Sequence, residues 1–300
     1  MRAPDPHVRI EATWNKRIAR HDEQRMNNPS IAFIGAGNMA TALISGLIAD
    51  GTEPHKIIAS DPDGEKCNAL SARTGIRTTI DNEQAVSAAD VMVLAVKPQV
   101  LQRVAESLKG AVQQYRPLVL SIAAGVRSQT LDAWLGGSTA LVRCMPNTPA
   151  MLQCGATGLF ANDRVSTAQL EQAETILRAV GLTTWIADEK LMDAVTALSG
   201  SGPAYFFLVM EAMQAAGEQL GLDTDSARLL TLQTALGAAR MAIESSDSPA
   251  TLRERVTSPG GTTEQALLSF EKDQLREIFA RALQAAHDRS VELSQLLAND

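Results

Sequence analysis

The segment "SIAFIGAGNMATALISGLIADG", Ser30 to Gly51, leaves the chain few ways to fold. Ile31 to Ile34 is a short apolar run, and it ends at Gly35-Ala36-Gly37. Met39, Leu43, Leu47 and Ile48 then recur at helical spacing. This is strand, glycine turn and helix, with the pattern G-x-G-x-x-A on Gly35, Gly37 and Ala40. Gly35 permits a tight turn, Gly37 lets a pyrophosphate approach the backbone, and Ala40 lets the helix pack closely on the strand. Free N–H groups at the helix start would hold the pyrophosphate. Three small residues alone are a weak signal, but placed between a strand and an amphipathic helix they point to a dinucleotide site.

The following segments repeat the unit. "KIIASDP" reads as a second strand, and Asp61 lies 26 residues after Gly35, where an acidic residue would meet a ribose 2′-hydroxyl. A helix-capping or turn role for Asp61 is the competing reading. "DVMVLAVKPQ", "LVLSIAAGV" and "ALVRCMPNTPA" are apolar runs of buried-strand type, and "GATGLFAN" and "TTWIADE" are late strands around a helix, "STAQLEQAETILRAVG". In an open parallel sheet, ligands bind at the carboxyl ends of strands. Ala95, Lys97, Ala124, Asn147 and Thr148 are therefore candidates to line a cofactor, with a solvated loop lysine as the alternative for Lys97.

From Lys190 onward strand signals fade. Pro203 suits the first turn of the helix "PAYFFLVMEAMQAAGEQLGL". The helix "DSARLLTLQTALGAARMAIES" is apolar or small on nearly every face, which implies burial against something. A helical tail of this size covers such helices poorly by itself, so a second subunit is expected. The predicted architecture is α/β: an N-terminal Rossmann-type doubly wound sheet, residues 29–188, followed by an all-helical substrate-binding and dimerisation domain, residues 189–300. Residues 1–28 are polar, lack an apolar signal core, and are expected to be a disordered extension.

The net charge of −7 disfavours a nucleic-acid binder, which needs basic surface. The three cysteines show neither metal-ligand nor disulfide spacing, which fits a reducing cytoplasm; no metal is expected, and no apolar run is long enough for a membrane span. The four histidines are His7, His21, His55 and His287, and no lysine falls between Lys190 and Lys272. Alcohol oxidation needs a base. Reduction of a C=N bond does not, since a protonated imine is already electrophilic and mainly needs orientation.

One loop in the helical half offers that. "TSPGGTTEQAL", Thr257 to Leu267, interrupts helix with two glycines and a helix start. Thr262 to Gln265 fits a capping box. Exposed N–H groups there suit a carboxylate, and the Thr263 hydroxyl suits a ring nitrogen. A plain helix–helix turn is the competing reading.

The whole set of segments resembles the pyrroline-5-carboxylate reductases. The resemblance spans about Ile31 to Leu297 and rests on "FIGAGNMA", "LAVKPQ", "SIAAGV", "RCMPNTPA", "GATGLFAN", "DAVTALSGSGPAYFF", "TLQTALGAARM" and "VTSPGGTTEQAL". It implies reduction of L-1-pyrroline-5-carboxylate to L-proline with NADPH or NADH, and a homodimer through the C-terminal helices, sometimes built into a decamer. It also implies a substrate loop of Ser258, Gly260, Gly261, Thr262 and Thr263, with Thr263 at the reacting nitrogen. The implied cofactor shell is Ile34, Gly35, Ala36, Gly37, Asn38, Met39, Asn82, Ala95, Val96, Lys97, Pro98, Ile122, Ala123, Ala124 and Glu189, to which the residue reading adds Asp61 and Asn147. Two positions depart from the family. NADPH-using members often carry Ser, Asn or Arg where Asp61 stands, which puts NADPH preference in question, with Asn82 and Arg77 as offsets. Some relatives carry Asn where Arg255 stands, and an arginine there would strengthen the hold on a carboxylate or face solvent. Two other functions compete: a β-hydroxyacid dehydrogenase, which lacks its lysine here, and a nucleotide-sensing protein without turnover.

Overall fold

A computed structural model describes residues 29–299, so the disorder expected of residues 1–28 lies outside the described residues. The chain divides into two compact units. Among the described residues, one holds the sheet and comprises residues 29–203 with 283–299; the other is helical and spans residues 204–282. The sequence pattern turns helical at residue 189, whereas the compact units part after Pro203.

The sheet has eight strands in the order β3-β2-β1-β4-β5-β6-β7-β8. They are β1 (Ile31–Ile34), β2 (Ile57–Ser60), β3 (Arg77–Thr79), β4 (Val91–Leu94), β5 (Leu118–Ser121), β6 (Leu141–Met145), β7 (Gly155–Ala161) and β8 (Gly181–Trp185). The strands β1 to β6 are parallel, β7 runs antiparallel to β6, and β8 is parallel to β7. The strand order reverses between β1 and β4, the switch point where such sheets bind ligands.

Alternate residues of each strand feed opposite cores, as the two-residue period requires. Ile31, Phe33, Ile57, Val91, Val93, Leu118 and Leu120 join one core, with Leu43, Ile44 and Leu47 of helix α1 (Asn38–Ala49). Ala32, Ile34, Ile58, Met92, Leu94 and Val119 join the other, with Leu101, Ala105, Leu108 and Val112 from the helix at Pro98–Tyr115. Both faces are covered, which explains why these strands read as continuous apolar runs rather than alternating ones.

The helical unit behaves differently. In α3, Thr224–Glu244, which follows α2 at Gly202–Gln219, only Ala227 and Thr231 are buried. Phe206, Phe207 and Leu208 of α2 are 68%, 62% and 66% exposed. The apolar faces that the sequence marks for burial are open in the single chain. No helix among the described residues is long and apolar enough to cross a membrane.

Candidate active site

The parallel strands deliver the predicted cofactor segments to one edge. Gly35 N donates to Ser60 O at 2.7 Å, Ala95 N to Ile34 O at 2.8 Å, and Ile122 N to Leu94 O at 3.1 Å. Gly35, Asp61, Ala95 and Ile122 thus follow the carboxyl ends of β1, β2, β4 and β5, side by side. Gly35 has φ +103°, and a Cβ there would lie 2.7 Å from Ala95 O. Only glycine fits that crossing of the turn over the next strand. At Gly37 a Cβ would meet nothing within 4 Å. The space over the start of α1 is open, as a bound pyrophosphate requires.

The helices starting at Gly64, Asn82, Thr167, Thr224 and Pro249 are capped by the side chains of Asp63, Asp81, Ser166, Asp223 and Ser248, whereas those starting at Pro98, Ser128 and Thr262 have no side-chain cap. Gly37, which caps α1, provides no side-chain acceptor, and the first turn of α1 carries no acidic residue. An uncapped helix start above open space fits a phosphate-bearing dinucleotide. Backbone N–H groups of Asn38 and Met39 would meet the pyrophosphate; Ala95 to Pro98 and Ile122 to Ala124 line the same edge.

Asp61 is almost buried, and it closes the turn. Its Oδ2 accepts from Ala36 N at 3.0 Å and its Oδ1 from Asp63 N at 3.0 Å. Asn82 starts its helix beside Asp61, and its Oδ1 accepts from Ser60 Oγ at 2.7 Å. Arg77 stands elsewhere. It lines a surface cavity of about 510 Å³ with Ser30, His55, Lys56 and Asp90, residues that precede or open the strands. That is the amino edge of the sheet, so Arg77 does not offset Asp61.

Two predicted residues are held by hydrogen bonds to protein groups. The Asn147 amide donates to Ser199 O at 3.2 Å and accepts from Ala156 N at 2.9 Å. It ties β7 to the π-helical turn Thr196–Gly200, a wide turn of the kind often kept at functional sites. Glu189 takes Ser128 N at 2.6 Å and Arg143 Nη1 at 2.8 Å on Oε1, and Ser128 Oγ at 2.8 Å on Oε2. Burial pushes the Glu189 carboxyl up, but the Ser128 N–H, the Arg143 guanidinium and the Ser128 hydroxyl together hold it below the ordinary glutamate value. Its work is to fasten the helix that follows the β5 turn. Asp193 does likewise: it is buried, accepts from Arg127 Nη2 at 2.9 Å and from Ser290 Oγ at 2.8 Å, and was not singled out by the sequence.

The loop of the helical unit forms a tight turn. Gly261 N donates to Ser258 O at 3.0 Å, with Pro259 second and Gly260 third at φ +73°. Pro and a left-handed Gly in those places are what such a turn demands. The expected Thr262–Gln265 capping box does not form. Gly261 caps the helix Thr262–Lys272 without a side-chain bond, and Glu264 Oε2 instead accepts from Gly260 N at 2.8 Å. The Thr263 side chain stands half-buried in the first turn, left free of the cap. The Arg255 guanidinium pairs with Asp247.

Comparison with known proteins gives a consistent result. Residues 30–125 match a family of NADP oxidoreductases described as coenzyme F420-dependent, and residues 189–293 match a family described as pyrroline-5-carboxylate reductase dimerisation. With the doubly wound sheet and its open glycine turn, this defines an NAD(P)-dependent oxidoreductase. The chain is 53% identical to the pyrroline-5-carboxylate reductase of Pseudomonas aeruginosa over 272 residues, covering 91% of this chain and 99% of the relative. It is 47% identical to that of Vibrio alginolyticus, covering 90% and 100%. A solved pyrroline-5-carboxylate reductase from Coxiella burnetii superposes with TM-score 0.86 at 50% identity, covering 89% of this chain and 99% of that one. The Plasmodium falciparum pyrroline carboxylate reductase, solved with NADP bound, gives TM-score 0.79 at 29% identity, covering 90% and 99%. The chain belongs to the pyrroline-5-carboxylate reductase family.

Proposed function

We propose that this protein reduces L-1-pyrroline-5-carboxylate to L-proline, the closing step of proline biosynthesis, in the cytoplasm. NAD(P)H bound at the sheet edge supplies a hydride. The substrate enters as the protonated imine; the hydride would add to its imine carbon, the C=N electron pair would move to nitrogen, and nitrogen would keep the proton it already carries, giving the neutral secondary amine. The Ser258–Thr262 turn holds the substrate carboxylate, and the Thr263 hydroxyl contacts the ring nitrogen. The observation that carries this reading is the loop itself: a glycine turn before a helix start with no side-chain cap, and a hydroxyl not spent on that cap. The absence of histidine and lysine from residues 191–271 agrees, since imine reduction needs orientation more than a base.

The test is direct. Purified protein mixed with pyrroline-5-carboxylate should oxidise NADH or NADPH and form proline. Oxidation of neither cofactor overturns the reading.

The helical unit joins two chains, with α2 and α3 covering one another's open apolar faces, and dimers assemble further toward a decamer. Exposed apolar area on this scale is what subunit contact removes from water. Sedimentation should return a multiple of the 32.0 kDa chain mass. A species of single-chain mass at micromolar protein counts against the assembly.

A further inference from the structure

A second cation stands where Arg77 does not. Lys66 lies in the first turn of the helix Gly64–Thr74, and its Nζ is 3.9 Å from Asp61 Oδ1 and 3.6 Å from Asp63 Oδ2. Its side chain is 57% exposed, so it can turn toward a ligand at the end of β2. Asp61 is fixed by the Ala36 and Asp63 amides and cannot leave. The β2 edge therefore holds three acidic residues close in sequence, Asp61, Asp63 and Glu65, against one mobile cation.

The two cofactors differ only at the adenosine 2′ position. NADH offers a hydroxyl there, which donates to a carboxylate such as Asp61. NADPH offers a phosphate bearing nearly two negative charges at neutral pH, which that carboxylate repels. A cation beside the carboxylate is the one local means of admitting it.

We propose that Lys66 is a specificity-determining residue: Asp61 makes NADH the favoured cofactor, and Lys66, released from its acidic partners, carries the 2′-phosphate of NADPH. This deepens the reductase reading and rests on it. In the NADH complex, Lys66 stays paired with Asp61 and Asp63. In the NADPH complex it transfers to the phosphate, because a charge-assisted bond to a doubly charged group outcompetes a long, solvated ion pair.

The experiment measures kcat/KM for NADH and NADPH, and calorimetric binding of AMP and adenosine 2′,5′-bisphosphate, in the wild-type protein and in Lys66→Met, Lys66→Arg and Asp61→Ser. The wild type should favour NADH. Lys66→Met should lower kcat/KM for NADPH by about tenfold, the weight of one charge-assisted hydrogen bond, while NADH changes by less than about twofold. Lys66→Arg should restore NADPH use. Asp61→Ser should move the ratio toward NADPH by about tenfold on the same scale. The bisphosphate should follow NADPH and AMP should follow NADH. Equal losses for both cofactors in Lys66→Met would mark a structural lysine and overturn the proposal, as would a wild type that favours NADPH. If both nucleotides bind with the expected discrimination but pyrroline-5-carboxylate is not reduced, the Lys66 assignment stands and the reductase reading falls. If neither nucleotide binds, both fall.

Discussion

Thr263→Ala should leave the protein folded and the dinucleotide bound, and should lower kcat by about 100-fold, the weight of one pre-positioned donor lost at a reacting centre. The hydroxyl is half-buried and no side-chain cap depends on it, so its removal costs little stability. Chemistry suffers because the donor acts where charge changes. As the hydride arrives, a lone pair forms on the ring nitrogen that the protonated imine lacks, and the Thr263 hydroxyl can donate to it only in that state. The substrate KM should rise far less than kcat falls, since the carboxylate keeps its backbone donors. Thr263→Ser, which retains the hydroxyl, should recover most of the rate. Steady-state kinetics with the dissociation constant of NADPH measured alongside settle the assignment. Unchanged kcat in Thr263→Ala would reduce the loop to a helix–helix turn, and lost NADPH binding would place it in the cofactor site.

Glu189→Ala should destabilise the fold by about 3 kcal/mol, because it strands a buried guanidinium. Side-chain exposure is 7% for Arg143 and 18% for Glu189, so water cannot stand in easily for the missing carboxylate. The Ser128 N–H and hydroxyl lose their acceptor at the same time. A lower urea midpoint at unchanged slope would report it. A midpoint equal to wild type would show that the pair is screened. The same carboxylate sets a pH dependence. Its folded-state pKa is depressed, so its stabilisation is complete above the ordinary glutamate value of 4.5 and is lost as pH falls through the lower folded value. In Glu189→Gln that acid-side loss should disappear, and the residual stability should change less with pH below 4.5.

Much of the cofactor edge is legible in sequence because its determinants are local. A glycine turn needs its glycines in a fixed short spacing, and parallel strands buried on both faces show as apolar runs, so Gly35, Ala95 and Ile122 come to one edge in the structure as the pattern implies. Strand β3 carries too few residues to stand out, and the reversal of β7 depends on which neighbour it pairs with, which no run of residues records. Long-range side-chain partners are the other gap. Glu189 reads as a residue near the cofactor, yet its carboxylate is committed to Ser128 and Arg143, residues 61 and 46 positions away. Asn147 shows the same: its amide belongs to Ser199 and Ala156. Thr262 and Gln265 meet the capping spacing, but Glu264 reaches Gly260 N first, a competition between adjacent acceptors that spacing alone does not rank. Arg77 and Lys66 divide in the same way. Both are cations near Asp61 in sequence, and only strand direction puts one at the far edge.

The bare start of α1 has a consequence for the life of the protein. Five other helices carry their own caps, each worth about 1 kcal/mol, but the start of α1 has no side-chain cap, as is true of the helices starting at Pro98, Ser128 and Thr262. The empty fold is thus stabilised less than its helix content would allow, and the shortfall is made good from outside. Whatever nucleotide binds the folded chain and not the unfolded one raises its stability by mass action, about 2.7 kcal/mol when present at a hundred times its dissociation constant. The lifetime of the chain against unfolding and proteolysis is then coupled to the same nucleotide pool from which it draws reducing equivalents.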